Sequence, residues 1–155
     1  TEVIPASRGM QIKLGKGVRL DVLHPQADIV DDVDFDDNEN SLVLRVVMGH
    51  RTMLLTADIN EQAERALVAS GVPVHANLLK VAHHGAASSS SAAFLAAVDP
   101  QLAVISAGAD SPFGHPTKAV LARLSAADCR VFRTDRDGTI EFITDGQRCW
   151  IKLHP

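Results

Sequence analysis

The stretch ANLLKVAHHGAASSSSAAFLAAVDPQLAVISAG, Ala76–Gly108, decides how this chain is read. It opens on a nearly continuous apolar run, ANLLKVA, of the kind that forms a strand buried in a sandwich or an α/β layer. The run stops at His83, His84 and Gly85, and a tract of small residues then leads into a Ser-capped helix over about 90–98. A second buried strand, QLAVISAG, follows and delivers the loop ADSPFGHP, Ala109–Pro116. Strand polarity is left open by the sequence.

Upstream, MQIKLG and VRLDVLHP read as strands, with Val18, Leu20 and Val22 alternating against Arg19 and Asp21 and with His24 at the end. Two β-rich runs around a GHR turn predict a hairpin from Leu42 to Thr56, and His50 at that turn reads as a solvated side chain. NEQAERALVAS, Asn60–Ser70, is a helix with Asn60 as N-cap and Gly71 as stop. Downstream, TKAVLARLSAA, Thr117–Ala127, is a third helix with Val120, Leu121 and Leu124 on one face. The end reads as a three-stranded β-meander, CRVFRT, TIEFIT and RCWIKL, turned at DRDG and DG. No linker or internal repeat divides residues 1–155, so they are taken as one domain or a piece of one.

Composition narrows the function. A hydrophobic fraction of 46% and a charged fraction of 22% are those of a globular protein, and no apolar run approaches the roughly 20 residues needed to cross a bilayer. The chain is expected to be soluble, and Thr1 reads as a cut inside a longer protein. A net charge of −4 argues against nucleic-acid binding by phosphate neutralisation alone, so phosphate chemistry here needs metal ions. Much of the negative charge lies in DIVDDVDFDDNEN, Asp28–Asn40, which reads as a solvated loop. Cys129 and Cys149 lack any C-x-x-C spacing and fall on the first and third meander strands, so they are expected to be free thiols.

Chemistry concentrates at three strand ends: Asp58 after MLLTA, His83 and His84 after LLKVA, and His115 in the SPFGHP loop. Imidazole and carboxylate together suit Zn, Mn or Fe. Taken singly, Asp58 reads as a cap for the following helix and His115 as a loop histidine. The adjacent histidines need polar partners at the mouth of a buried strand. Successive strand residues face opposite ways, so both meet one ion only if the chain turns at the pair, which Gly85 permits.

In order and spacing, NENSLVLRV, TMLLTADINEQAE, NLLKVAHHGAASSSSAAFL, PQLAVISAG, FGHP, VLARL and CRVFRTDRDGTIEF resemble the C-terminal metallo-β-lactamase-fold domain of ComEC-type DNA-internalisation competence proteins. The likeness runs from VRLDVLHP to DGTIEF, with Ala57 in place of a glycine and Ala86 in place of a serine beside the motifs. It implies a mixed α/β fold, the C-terminal half of an αββα sandwich with about three helices. It further implies a metal-dependent phosphodiesterase or nuclease acting on DNA during uptake, with two Zn or Mn ions. Asp58 would bridge them, His83, His84 and His115 would complete or flank the site, and Asp58, His83 and His84 would carry the catalytic role. Proteins of this fold bind metal chiefly through H-x-H-x-D-H in the N-terminal half, and no two of the seven histidines here are spaced by two.

That half is therefore expected before Thr1, with membrane spans that would make this chain an extracytoplasmic soluble domain of a bacterial inner-membrane protein. The chain alone is expected to bind metal weakly, to cleave nothing and to self-associate through exposed apolar faces. Two other readings stand beside this one: a free-standing hydrolase of the same fold acting on another phosphodiester or ester, and a non-catalytic DNA-contact or assembly module.

Overall fold

The computed structural model describes residues 4–26, 38 and 40–154. The acidic stretch Asp28–Asn40 lies outside the described residues apart from Asn38 and Asn40. Seven strands form one mixed sheet: β1 (Gln11–Gly15), β2 (Val18–His24), β3 (Val43–Met48), β4 (Arg51–Leu55), β5 (Leu78–Lys80), β6 (Leu102–Ile105) and β7 (Arg130–Arg133). They lie side by side in chain order, antiparallel from β1 to β4 and parallel from β4 to β7. Helix α1 (Glu61–Ala69) connects β4 to β5, α2 (Ala92–Val98) connects β5 to β6, and α3 (Lys118–Ala126) connects β6 to β7.

Parallel neighbours require crossovers, and crossovers of one hand that always step in one direction lay their helices on one face. The core follows from this. Leu54, Leu79, Ala103 and Ile105 from the sheet pack with Leu67 of α1, Phe94, Leu95 and Val98 of α2, and Val120 and Leu124 of α3, all buried. Each helix starts at the residue its sequence marks. Asn60 accepts from Gln62 N and Ala63 N, Ser91 from Phe94 N, and Thr117 from Val120 N. Among the described residues, no helix is long and apolar enough to cross a membrane.

The C-terminal meander is a correction. CRVFRT does not pair with TIEFIT; its β7 segment runs parallel to β6 and closes the main sheet. Where DRDG reads as a hairpin turn, the chain makes one helical turn, α4 (Thr134–Asp137), the fourth helix where about three are expected. Side chains cause this: Asp137 accepts from Arg133 N at 2.8 Å, Asp135 binds the Arg133 guanidinium, and Thr134 Oγ1 ties to both N and O of Ala107. Of the three meander segments, β8 (Thr139–Thr144) and β9 (Cys149–His154) do pair, as a hairpin forming a separate two-stranded sheet. Both cysteines are free as expected. Burial pushes the Cys129 thiol up to about 11, while Cys149 is exposed at the start of β9.

The hairpin covers part of the sheet face opposite the helices. His50 N donates to Gly146 O at 2.8 Å, Arg51 Nε donates to Gln147 O at 2.8 Å, and Phe142 meets Phe132 edge-on at 6.0 Å. Between hairpin and sheet lies a cavity of about 230 Å³ with an apolar lining that includes Met48, Met53, Leu78, Leu102 and Phe142.

Candidate active site at the strand ends

The parallel half of the sheet brings the ends of β4, β5 and β6 together, and with them Asp58, His83, His84 and His115. Beyond β4, Thr56 is buried and its hydroxyl donates to Lys80 O at 2.6 Å, which fixes where the chain leaves the strand. Ala57 then takes a left-handed conformation, φ +42°. Asp58 is not the helix cap: Asn60 fills that role, and the Asp58 carboxylate is left half-exposed. Its Oδ2 lies 3.7 Å from His84 Nε2 and its Oδ1 lies 4.0 Å from Lys80 Nζ.

The turn at the histidine pair is present. His83 and His84 sit in a short 3-10 turn, Ala82–Gly85, with φ of +49° and +55°. Left-handed backbone disfavours side-chain-bearing residues by roughly 1–2 kcal/mol each, so neighbouring bonds must hold it. His83 N donates to Ala57 O at 3.0 Å and Ala86 N donates to His83 O at 2.9 Å. Gly85 O accepts from Thr117 N at 2.9 Å and Thr117 Oγ1 at 3.2 Å. The result separates the two rings. His84 reaches Asp58, whereas His83 meets the His115 ring edge-on at 5.8 Å and 76°.

Hydrogen bonding assigns the His84 tautomer. Its Nδ1 lies 2.7 Å from Ser106 O, and a carbonyl only accepts, so Nδ1 carries the proton and Nε2 is presented to Asp58. His84 Nε2 therefore faces the Asp58 carboxylate oxygen across 3.7 Å. That spacing is too long for a direct hydrogen bond; with a proton on Nε2 the two form an ion pair, and without one they offer two lone-pair donors that a cation between them could share.

His115 precedes a cis peptide bond to Pro116 and packs its ring beside Phe113, centroids 5.9 Å apart at 29°. Partial burial first, then the neighbouring His83 and His84, hold it below the usual imidazole range, which favours the neutral, lone-pair-bearing form. His83 Nδ1 is buried with no hydrogen-bond partner among the described residues. These donors fit Zn or Mn in kind. They fall short in number: among the described residues no group of three or more His, Cys, Asp or Glu side chains is placed to hold an ion.

Four further residues shape the site. Lys80 is the one charge in the LLKVA run, and that intrusion was its signal in the sequence; burial lowers its pKa and Asp58 opposes the shift. Glu64 and Arg123 clamp the segment after the histidines. The buried Glu64 carboxylate accepts from Ser90 N and, at 2.8 Å, from Ser91 N. Arg123 donates to Ala87 O, Ser89 O and Ser90 O at 3.0, 2.7 and 2.8 Å. Ser89 Oγ in turn donates to Ile59 O at 2.8 Å, next to Asp58. Phe113 is the fourth, and lies within the motif SPFGHP without having been singled out.

No family model matches the chain. It is 39% identical over 127 residues to Competence protein ComA of Neisseria gonorrhoeae, which covers 81% of this chain and 18% of that protein. It is 35% identical over 127 residues to ComE operon protein 3 of Bacillus subtilis, covering 82% of this chain and 16% of that protein. Recombination protein 2 of Haemophilus influenzae is 32% identical over 104 residues, covering 67% of this chain and 13% of that protein. The chain is thus homologous to one segment of these proteins and spans less than a fifth of their length.

Proposed function

We propose that this chain is part of the phosphodiesterase or nuclease site of a ComEC-type competence protein that handles DNA during uptake, built as the C-terminal half of a metallo-β-lactamase sandwich. The observation that carries the reading is the facing pair Asp58 Oδ2 and His84 Nε2, 3.7 Å apart, with His84 oriented from behind by Ser106 O. Homology to a protein named for competence supplies the biological setting. A sheet with helices on one face also suits half of a sandwich.

In this reading Asp58 and His84 hold a divalent ion, with His83 and His115 flanking or completing the set. The remaining ligands come from elsewhere in the longer protein. A bound ion would polarise the phosphoryl oxygen and neutralise charge developing on it. The chain's own residues do the positioning. Ser106 O fixes the His84 ring, Ala57 O receives His83 N and Lys80 Nζ, and Lys80 balances the Asp58 charge beside the substrate. The domain sits outside the cytoplasm, where incoming DNA is met.

The test is cleavage of DNA by the whole protein with Mn or Zn supplied. Asp58→Asn is expected to lower the rate by at least about 100-fold while leaving the fold intact, since it removes a charged ligand and keeps its shape. The 155-residue chain alone is expected to cleave nothing. Full activity of Asp58→Asn, or cleavage that persists in a chelator, would sink the proposal.

A second reading, a non-catalytic DNA-contact or assembly module, draws on the lack of a three-ligand group among the described residues. Elemental analysis of the whole protein separates the two, because that module carries no stoichiometric metal.

A further inference from the structure

We infer that Phe113 is a stacking platform for an unpaired nucleobase, set beside the strand-end site so that this site takes single-stranded or frayed DNA; the inference rests on the phosphodiesterase reading above. Phe113 is 78% exposed, the most exposed of the large hydrophobic side chains among the described residues. The outer face of the ring is therefore open, and through His115 it lies beside the strand-end site.

The ring is held rather than loose. One side packs against His115 with the planes 29° apart, and His115 in turn contacts His83. The backbone presenting it is a tight turn: Gly114 N donates to Ser111 O at 3.1 Å, with Pro112 and Phe113 at the two corners. Proline at the first corner fixes φ before any ligand arrives, so little ordering is needed on binding. Gly114 leaves the turn at φ +66°, where a side chain is disfavoured.

Charge explains why a stacking contact is needed. With a net charge of −4, the chain gains little from general attraction to phosphates. Stacking on an aromatic face adds affinity that depends neither on base identity nor strongly on salt. A paired base has both faces covered by its neighbours, so only an unpaired or terminal base can lie on Phe113.

The experiment measures binding by the whole protein, Asp58 intact, with Ca in place of Mn or Zn, so that cation charge at the site is kept while cleavage is slowed. Fluorescence anisotropy is read with a single-stranded oligonucleotide and the same strand made abasic at its end. Phe113→Ala is expected to weaken single-strand binding on the order of ten-fold at both low and high salt. The abasic strand should show no such loss, and Phe113→Trp should restore the binding. An equal loss for normal and abasic strands, no loss at all, or a lowered melting temperature showing that Phe113 packs against another part of the protein would each overturn the inference. If the protein without Phe113 substitutions binds no strand, the functional reading fails as well; if it binds and Phe113→Ala changes nothing, only the inference fails.

Discussion

Glu64 is a carboxylate with no exposed surface, and it anchors the segment that follows the histidines through Ser90 N and Ser91 N. Burial, its largest influence, raises its pKa above the ordinary glutamate value of 4.5, and the Ser91 and Ser90 hydrogen bonds oppose the rise. The sign follows by linkage. A carboxyl with a raised folded-state pKa contributes stability that is complete below its unfolded value and is lost as pH climbs through the folded value. Glu64→Gln cannot titrate, so urea denaturation across a pH series should show the unsubstituted chain losing stability relative to the variant as pH rises above about 4.5. Parallel curves would remove this account. Glu64→Ala strands two amides in the core and should cost about 3 kcal/mol. Neither role was legible in the sequence, where Glu64 reads as an acidic residue in a first helical turn. Chemically unusual residues were legible: the histidine pair stood out because imidazoles rarely end an apolar run. Asp58 and Asn60 both offered a cap, and only the helix's starting residue decides between them.

Among the elements, the 3-10 turn and the loop before α3 behave as one unit because Gly85 lets them touch. A Cβ on Gly85 would lie 2.6 Å from Pro116 Cβ and 3.0 Å from its Cα, and φ at Gly85 is +84°. Gly85→Ala is therefore doubly opposed, by contact and by backbone conformation. It should destabilise by at least about 2 kcal/mol and move His115 away from His83. Denaturation and the histidine ring resonances in NMR would check this, and an unshifted His115 resonance would count against it. Helices were legible here because their caps are local: Asn60, Ser91 and Thr117 each act within three residues. The partner of β7 was not. A strand's neighbour is chosen by the whole sheet, and a D-G signal that usually closes a hairpin was overridden by Asp135 and Asp137 bonding back to Arg133.

Across the whole molecule, the two sheet faces differ. One is sealed by three helices, while among the described residues the other is covered by the β8–β9 hairpin over an apolar cavity, and Trp150 and Leu153 of β9 and Ile12 and Leu14 of β1 are exposed. Large exposed apolar area favours association. The isolated chain is expected to form concentration-dependent assemblies in size-exclusion chromatography with light scattering, and a monodisperse monomer would contradict this. The mixed α/β class was legible at this scale because strand and helix patterns alternate from β4 onward, whereas the side of the sheet left uncovered depends on crossover hand.

The order of the strands in the sheet, β1 through β7 without exchange, bears on synthesis. Each strand after β1 has a pairing partner that lies upstream of it, so the topology permits the sheet to grow by accretion at one edge as the chain is translated. The three loops that carry Asp58, the histidine pair and His115 would then be set in place in that sequence, each resting on the one before. A chain built this way sets its chemistry in place after the antiparallel half has given it a template and before α3, β7 and the β8–β9 hairpin close over the sheet.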